Sequence, residues 1–306
     1  MNLIALLIGL IVERLATQFF HWRRMRWLDR IIDAGFRAAA GFSNWPALIP
    51  VVLLAVALAL PVAAVIFALG DSLLGFPYLV LAIVVLFFSL GPQDIGEDVD
   101  EYCAALRDGD EQRIHETAKA LVEGEVREDA RERLHQVESA VFVQANNRLF
   151  AVIFWFVALG PFGPLGAWTY RVTDLIRRRA VFNASRAEEE SGQEHNARDA
   201  ATWLHGVLAW IPARLTAIGY GVAGHLDAAL AAWRAPADHR PASLSEGSEV
   251  LLAHVGNGAL ALHDEDDESL NERAVRGAVQ ANRLVFRLLL IWAVIISALT
   301  LYGWSV

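Results

Sequence analysis

Ionisable residues set in apolar surroundings are the first places to look for chemistry, because a charge that leaves water must be paired or put to use. Glu13 and Arg14 follow an apolar run, Leu3 to Val12. Turned inward, Glu13 would offer a carboxylate to a polar site at the end of a helix bundle; turned outward, the pair would snorkel to an interface. A second group surrounds the apolar stretch Leu149 to Trp168. Glu138, Asn146, Asn147 and Arg148 lead into it, and Tyr170, Arg171 and Asp174 follow it. Guanidinium forks and broken helix ends both bind oxygen-rich groups, so this arrangement could present a site for an anion or a sugar. The same residues could instead anchor the stretch at an interface and tie it with a salt bridge. Arg214 stands third, the one charge between Ala200 and Gly224, with His205 beside it. It needs a carboxylate or an anionic ligand. A helix over 227–233 or the acids at 97–101 could supply the former.

Several chemistries are excluded. No Gly-x-x-x-x-Gly-Lys-Ser/Thr occurs, and the single lysine stands in Ala118-Lys119-Ala120, so there is no P-loop. Gly-x-Ser-x-Gly and His-Glu-x-x-His are absent as well. The nine histidines are scattered, and the lone Cys103 permits neither an intrachain disulfide nor a multi-cysteine metal site. No catalytic set, metal or cofactor is expected. A net charge of −9 argues against a nucleic-acid partner, since phosphate backbones call for a basic surface.

The elements that would position these residues are helices in a membrane. The chain is 55% hydrophobic and 20% charged, with a mean hydropathy of +0.37, which is more apolar than a soluble domain can absorb. A span needs about 20 mostly apolar residues. Residues 47–69 and 73–90 qualify as a hairpin around Asp71, ended by Gly91-Pro92, and 288–304 qualifies after Arg283 and Arg287, with Tyr302 and Trp304 as an aromatic belt. Residues 3–20 make a weaker span, read as a retained anchor because no basic residue precedes it and no small-residue cleavage site follows. The run Gly160-Pro161-Phe162-Gly163-Pro164 breaks the stretch at 149–168, which is expected to form a re-entrant or half-buried hairpin.

The fold class is therefore all-α, a polytopic helical membrane protein with amphipathic cytoplasmic helices and a Gly/Pro-broken re-entrant segment. The chain divides into N-terminal membrane helices (1–92), a polar amphipathic region (93–147), the broken hydrophobic segment (148–183), a polar to semi-apolar region (184–283) and a C-terminal span (284–306). In the polar region Leu106, Ile114, Leu121, Leu134 and Val141 recur at helical spacing. Residues 185–200 and 234–249 read as loops, and Asp199 to Trp233 as a helix pair broken at Pro212. Six arginines between 14 and 37 place that loop in the cytoplasm. Alternation puts 91–147 and the start of the last span on the same side.

The order and spacing of several short runs resemble the AmpE family over almost the whole chain. They are Glu13-Arg14-Leu15, His21-Trp22, Asn147-Arg148-Leu149-Phe150 before Phe154-Trp155, Gly160-Pro161 with Gly163, Tyr170-Arg171, and Trp210-Ile211-Pro212-Ala213-Arg214-Leu215 with Gly224-His225. The resemblance implies a multi-pass protein of the bacterial inner membrane, linked to the muropeptide amidase AmpD and to β-lactamase induction as a sensor or signalling modulator. Its partners would be the bilayer, a muropeptide-like or other anionic small molecule, and a protein of the AmpD pathway. Glu13, Arg14, His21, Glu138, Asn147, Arg148, Tyr170, Arg171, Asp174 and Arg214 would be the ligand-binding residues. The family is similar in turn to CobD/CbiB, membrane proteins that form an amide in cobalamin synthesis. That leaves an enzyme, with Glu13 and Glu138 as its carboxylates, as the alternative. Here the chain departs from the pattern: Val143-Gln144-Ala145-Asn146-Asn147 stands where a second Glu and an Asp are expected, and Arg171 where a Lys is.

Overall fold

Leu28 and Ile32, one helical turn apart, are the buried anchors of an amphipathic first helix, α1 (Arg26–Ala40). The structure, a computed structural model, describes residues 26–40, 45–69, 75–90, 95–122, 124–186, 192–235, 241–263, 265 and 268–301. Glu13, Arg14 and His21 lie outside the described residues, as do Asp71, the Gly91-Pro92 pair and the belt at Tyr302 and Trp304. Every regular element among the described residues is a helix.

Four of these helices are long and apolar enough to cross a membrane: Leu48–Leu69, Ala130–Ala158, Glu194–Ala223 and Leu270–Thr300. The first is α2 (Leu48–Leu69), which carries no charge and leaves Leu53, Val56, Leu60, Val65 and Phe67 exposed around its surface. At 1.5 Å per residue it is about 33 Å long, the thickness of a hydrocarbon layer. The shorter apolar α3 (Phe76–Ser89) follows, started by Pro77 at a position where its missing N–H costs nothing.

Polar, periodic sequence then builds α4 (Ile95–Asp108), α5 (Glu111–Val122) and α6 (Ala130–Ala145). Leu106, Ile114, Leu121, Leu134 and Val141 are all buried in one core with α12 (Leu270–Leu301). Asp129 caps α6, its carboxylate accepting from the Arg131 and Glu132 amides at 2.9 Å each. The helix runs on through a π turn at Asn146–Phe150 into α7 (Ala151–Ala158). There it reverses. Gly160 takes φ +55°, which a side chain would resist, and a 3-10 turn over Gly160–Phe162 leads into α8 (Gly163–Ala184).

The broken segment thus forms a helical hairpin whose two arms return to one side. α8 lies along α2: Phe162 meets Phe67, the Trp168 indole donates to the Leu58 carbonyl at 2.9 Å, and Val172 and Ile176 pack with Val51 and Ala55. The tip therefore comes level with the last turn of α2.

Further along are α9 (Gly192–Ala223), α10 (Leu226–Arg234) and α11 (Leu244–Leu260). α9 starts inside the expected 185–200 loop, and α11 starts at Leu244 because Ser243 caps it, accepting from the Glu246 amide at 3.1 Å. Pro212 does not break α9. Proline leaves the carbonyl four residues back without its helical donor, and the Trp155 indole donates to that carbonyl, Leu208, at 3.1 Å. Trp155→Phe should destabilise the protein by about 1–3 kcal/mol, the cost of a part-buried carbonyl left unpaired. In a Pro212→Ala background, where a backbone N–H returns, the same change should cost less than half as much. Thermal unfolding of the four proteins checks this, and equal costs in both backgrounds would refute it.

Candidate functional site

Asp174 is fully buried on α8, one turn from arginines on either side. Helical spacing brings them together. Arg171 Nη1 donates to Oδ2 at 3.1 Å, Arg178 Nε to the same oxygen at 2.8 Å, and Arg177 Nη2 to Oδ1 at 3.2 Å. Arg171 is as buried as the carboxylate, whereas the side chains of Arg177 and Arg178 keep 16% and 25% of their exposure. The cluster therefore has a closed inner end and an open outer edge. Arg177 also reaches Glu249 of α11 at 3.4 Å.

From this centre a chain of hydrogen bonds passes inward. His205 of α9 lies 3.7 Å from Asp174 and shares a hydrogen bond of 3.2 Å with the Tyr170 hydroxyl, while its other ring nitrogen meets Ser245 of α11 at 3.3 Å. Ser245 donates in turn to Glu249. The Tyr170 hydroxyl also donates to Asn147 Oδ1 at 3.4 Å, Asn146 Nδ2 donates to the same oxygen at 3.1 Å, and the Thr216 hydroxyl donates to Asn146 at 3.0 Å. The buried Nδ2 of Asn147 makes no hydrogen bond among the described residues.

Three consecutive residues of the π turn serve three helices, because successive side chains on a helix point in different directions around its axis. Asn146 faces α9, Asn147 faces α8, and Arg148 faces α4, where its Nη1 donates to Asp98 at 2.7 Å while Nε donates to Gln144 at 3.1 Å. Both members of the Arg148–Asp98 pair are buried.

Of the residues singled out from sequence, Asn147, Tyr170, Arg171 and Asp174 join this network, with Arg148 beside it on the same turn. Glu138 does not. It lies nine residues before Asn147 on α6, about 13 Å along the axis, where Arg273 of α12 donates to it at 2.5 Å. Gly277 packs so closely on that carboxylate that a Cβ would collide with it. Arg214 is half-buried on another face of α9, stacked 3.9 Å above the Trp210 ring and donating to the Trp210 carbonyl at 2.9 Å. Glu13, Arg14 and His21 are outside the described residues. Sequence reasoning passed over Ser245 and Glu249, and named His205 only as a neighbour of Arg214. Of the acids at 97–101, candidate partners for Arg214, Asp98 pairs instead with Arg148, 50 residues away.

At the foot of α8, Arg179 clasps Asp33 of α1 with bonds of 2.7 and 2.5 Å, and Asn183 adds a third at 3.3 Å. A cavity of about 960 Å³ opens beside this pair, with Trp45, Val51 and Leu54 as its apolar wall and Asn183, Asn196 and Asp199 opposite. The Arg179 bond holds the Asp33 carboxyl below its ordinary value of 3.8 against the opposing effect of burial. A carboxylate whose folded pKa is depressed stabilises the fold above its unfolded pKa, and that stability is lost as pH falls through the folded value. Stability should therefore drop below about pH 4, with a shallower acid limb in Asp33→Asn. Unfolding midpoints between pH 6 and pH 3 measure the difference, and parallel limbs would exclude this pair as a contributor.

The whole chain, residues 1–306, matches the family described as regulatory signalling modulator protein AmpE. The chain belongs to the AmpE family. This AmpE-family chain is 26% identical to Protein AmpE of Shigella flexneri over 313 aligned positions, covering 99% of each. It is 28% identical to cobalamin biosynthesis protein CobD of Chromobacterium violaceum, over 82% of this chain and 80% of the relative. A CobD of Stutzerimonas stutzeri is 27% identical, over 69% and 68%. No solved structure matches it. As an AmpE-family member with several helices apolar enough to cross a bilayer, it is a membrane protein.

Proposed function

We propose that this protein is a multi-pass signalling modulator of the bacterial inner membrane, coupled to muropeptide recycling and β-lactamase induction, that binds a polar anionic ligand or partner at the Asp174 network. The observation that carries this reading is the open edge of the cluster. An anion that reaches Arg177 and Arg178 competes with Asp174 for their donors. Asp174 is tied through Tyr170 and His205 to the π turn, α9 and α11, so a change of partner there is felt by the packing of several helices. The family description, matched across the chain, supports a signalling role.

The test is genetic. Deleting the gene in its host should alter β-lactamase induction and muropeptide pools under a β-lactam; the wild-type gene should restore both. Arg177→Gln/Arg178→Gln, at equal membrane abundance, should not. Unchanged induction and pools after deletion would sink the proposal.

A second reading has its own support in the two relatives named as cobalamin biosynthesis proteins. It makes the protein an amide-forming membrane enzyme of that class. Complementation of a cobinamide-synthesis mutant decides it: restored growth establishes the activity, and failure with verified membrane expression removes it.

A further inference from the structure

We infer that the groove between α4 and the first half of α12 is a phosphate site at the membrane boundary, suited to the headgroup of an anionic phospholipid. Arg276, Gln280, Arg283 and Arg287 recur at i, i+4, i+7 and i+11, which places them on one stripe of α12. Arg107, in the last turn of α4, faces this stripe across a cavity of about 600 Å³ that Leu106, Arg276, Gln280 and Arg283 also line. Arg107 and Arg283 are exposed and have no hydrogen-bond or ion-pair partner among the described residues.

The remaining charges on the groove are accounted for locally. Glu272 accepts from the Ser269 amide and hydroxyl at 3.0 and 2.7 Å, closing the first turn of the helix. Glu268 clasps Arg276, its Oε1 accepting from Nε at 2.7 Å, and Glu265 stands 3.6 Å from the same guanidinium. Two arginine forks are left on one opening, which Gln280 also lines.

Depth identifies the ligand class. Beyond Arg287 the helix carries no charge up to Leu301, and Leu290, Val294, Ile295 and Leu299 are exposed on its surface. Arg283 is thus about two turns before Leu290, the first of these lipid-facing side chains, at headgroup level. A guanidinium matches two phosphate oxygens bidentately, which an ammonium cannot. The shared chemistry is a phosphate ester, and a soluble phosphorylated compound is the other source of it.

Native mass spectrometry of the full chain distinguishes these. Phosphatidylglycerol, phosphatidylcholine and inorganic phosphate are titrated onto the wild type, onto Arg107→Gln/Arg283→Gln, and onto the exposed control Arg127→Gln. At about 1 kcal/mol per arginine near an anionic headgroup, the double variant should lose about thirtyfold of the preference for phosphatidylglycerol over phosphatidylcholine, with the control unchanged. Arg107→Lys/Arg283→Lys should keep part of it, since charge remains without the fork. Displacement of the lipid by millimolar inorganic phosphate keeps the phosphate site and assigns it to a soluble ligand. A double variant that binds phosphatidylglycerol like the wild type, or a wild type with no preference and no phosphate binding, overturns the inference.

Discussion

Asp174→Asn should cost this protein on the order of 3–5 kcal/mol, the expense of leaving buried guanidinium groups without their carboxylate. The change is nearly isosteric, so packing stays while the charge goes. Arg171 is the residue most exposed to the loss in energetic terms, because it is buried with Asp174 and cannot turn to water. Arg177 and Arg178 keep some solvent and Arg177 keeps Glu249, so they adapt more cheaply. Asp174→Asn/Arg171→Gln should therefore be more stable than the sum of its single changes, with a coupling of about 1–3 kcal/mol. Unfolding in detergent measures all four corners of the cycle. The single Asp174→Asn variant should melt roughly 10 °C lower; a melt within 2 °C of wild type would show that this carboxylate is not the centre of the cluster.

Side chains added inside the hairpin should do comparable damage for a different reason. α7 and α8 pack so closely that a Cβ on Gly163 would collide with the Phe156 carbonyl, and one on Gly166 would lie 2.6 Å from the Trp155 carbonyl. These are backbone atoms, which cannot turn aside as a side chain can. Gly163→Ala and Gly166→Ala should each cost about 1–3 kcal/mol, and leucine at both positions should prevent the arms from closing and abolish folded, monodisperse protein. Gly192→Ala, with nothing within 4 Å of its added Cβ, supplies the comparison and should be neutral. The hairpin also carries Asn147 on one arm and Tyr170 on the other, so arms held apart would break their hydrogen bond. Gly163→Ala and Gly166→Ala variants as stable as Gly192→Ala would contradict this close packing.

Much of the architecture was legible without coordinates, because it rests on properties that are local in the chain. Uninterrupted apolar composition marks Leu48–Leu69 as long and apolar enough to cross a membrane wherever the rest of the chain goes. Apolar residues at helical spacing marked Leu106, Ile114, Leu121, Leu134 and Val141, and all are buried. The spacing of Arg171 and Asp174 already places a base and an acid one turn apart on a single helical face. Pro212 misled for an instructive reason: a proline ends a helix only when nothing else can serve the carbonyl it strands, and Trp155 serves it from 53 residues away.

What the sequence by itself determined, then, is a helical membrane protein with a reversal at Gly160-Pro161 and an arginine-rich helix after it, since charge, apolarity and helical period act over a few residues at a time. Tertiary structure decided which polar groups meet across helices. Asn147 and Arg148 are neighbours, yet one meets Tyr170 on α8 and the other Asp98 on α4. Glu138 and Asp174 are both buried acids, yet one is satisfied by Arg273 from the far end of the chain and the other by its own helix. Arg214 resolves its charge over the adjacent Trp210 ring. A buried charge must find a partner somewhere: helical spacing supplies one to Asp174, whereas Glu138 and Arg148 find theirs only where distant helices pack.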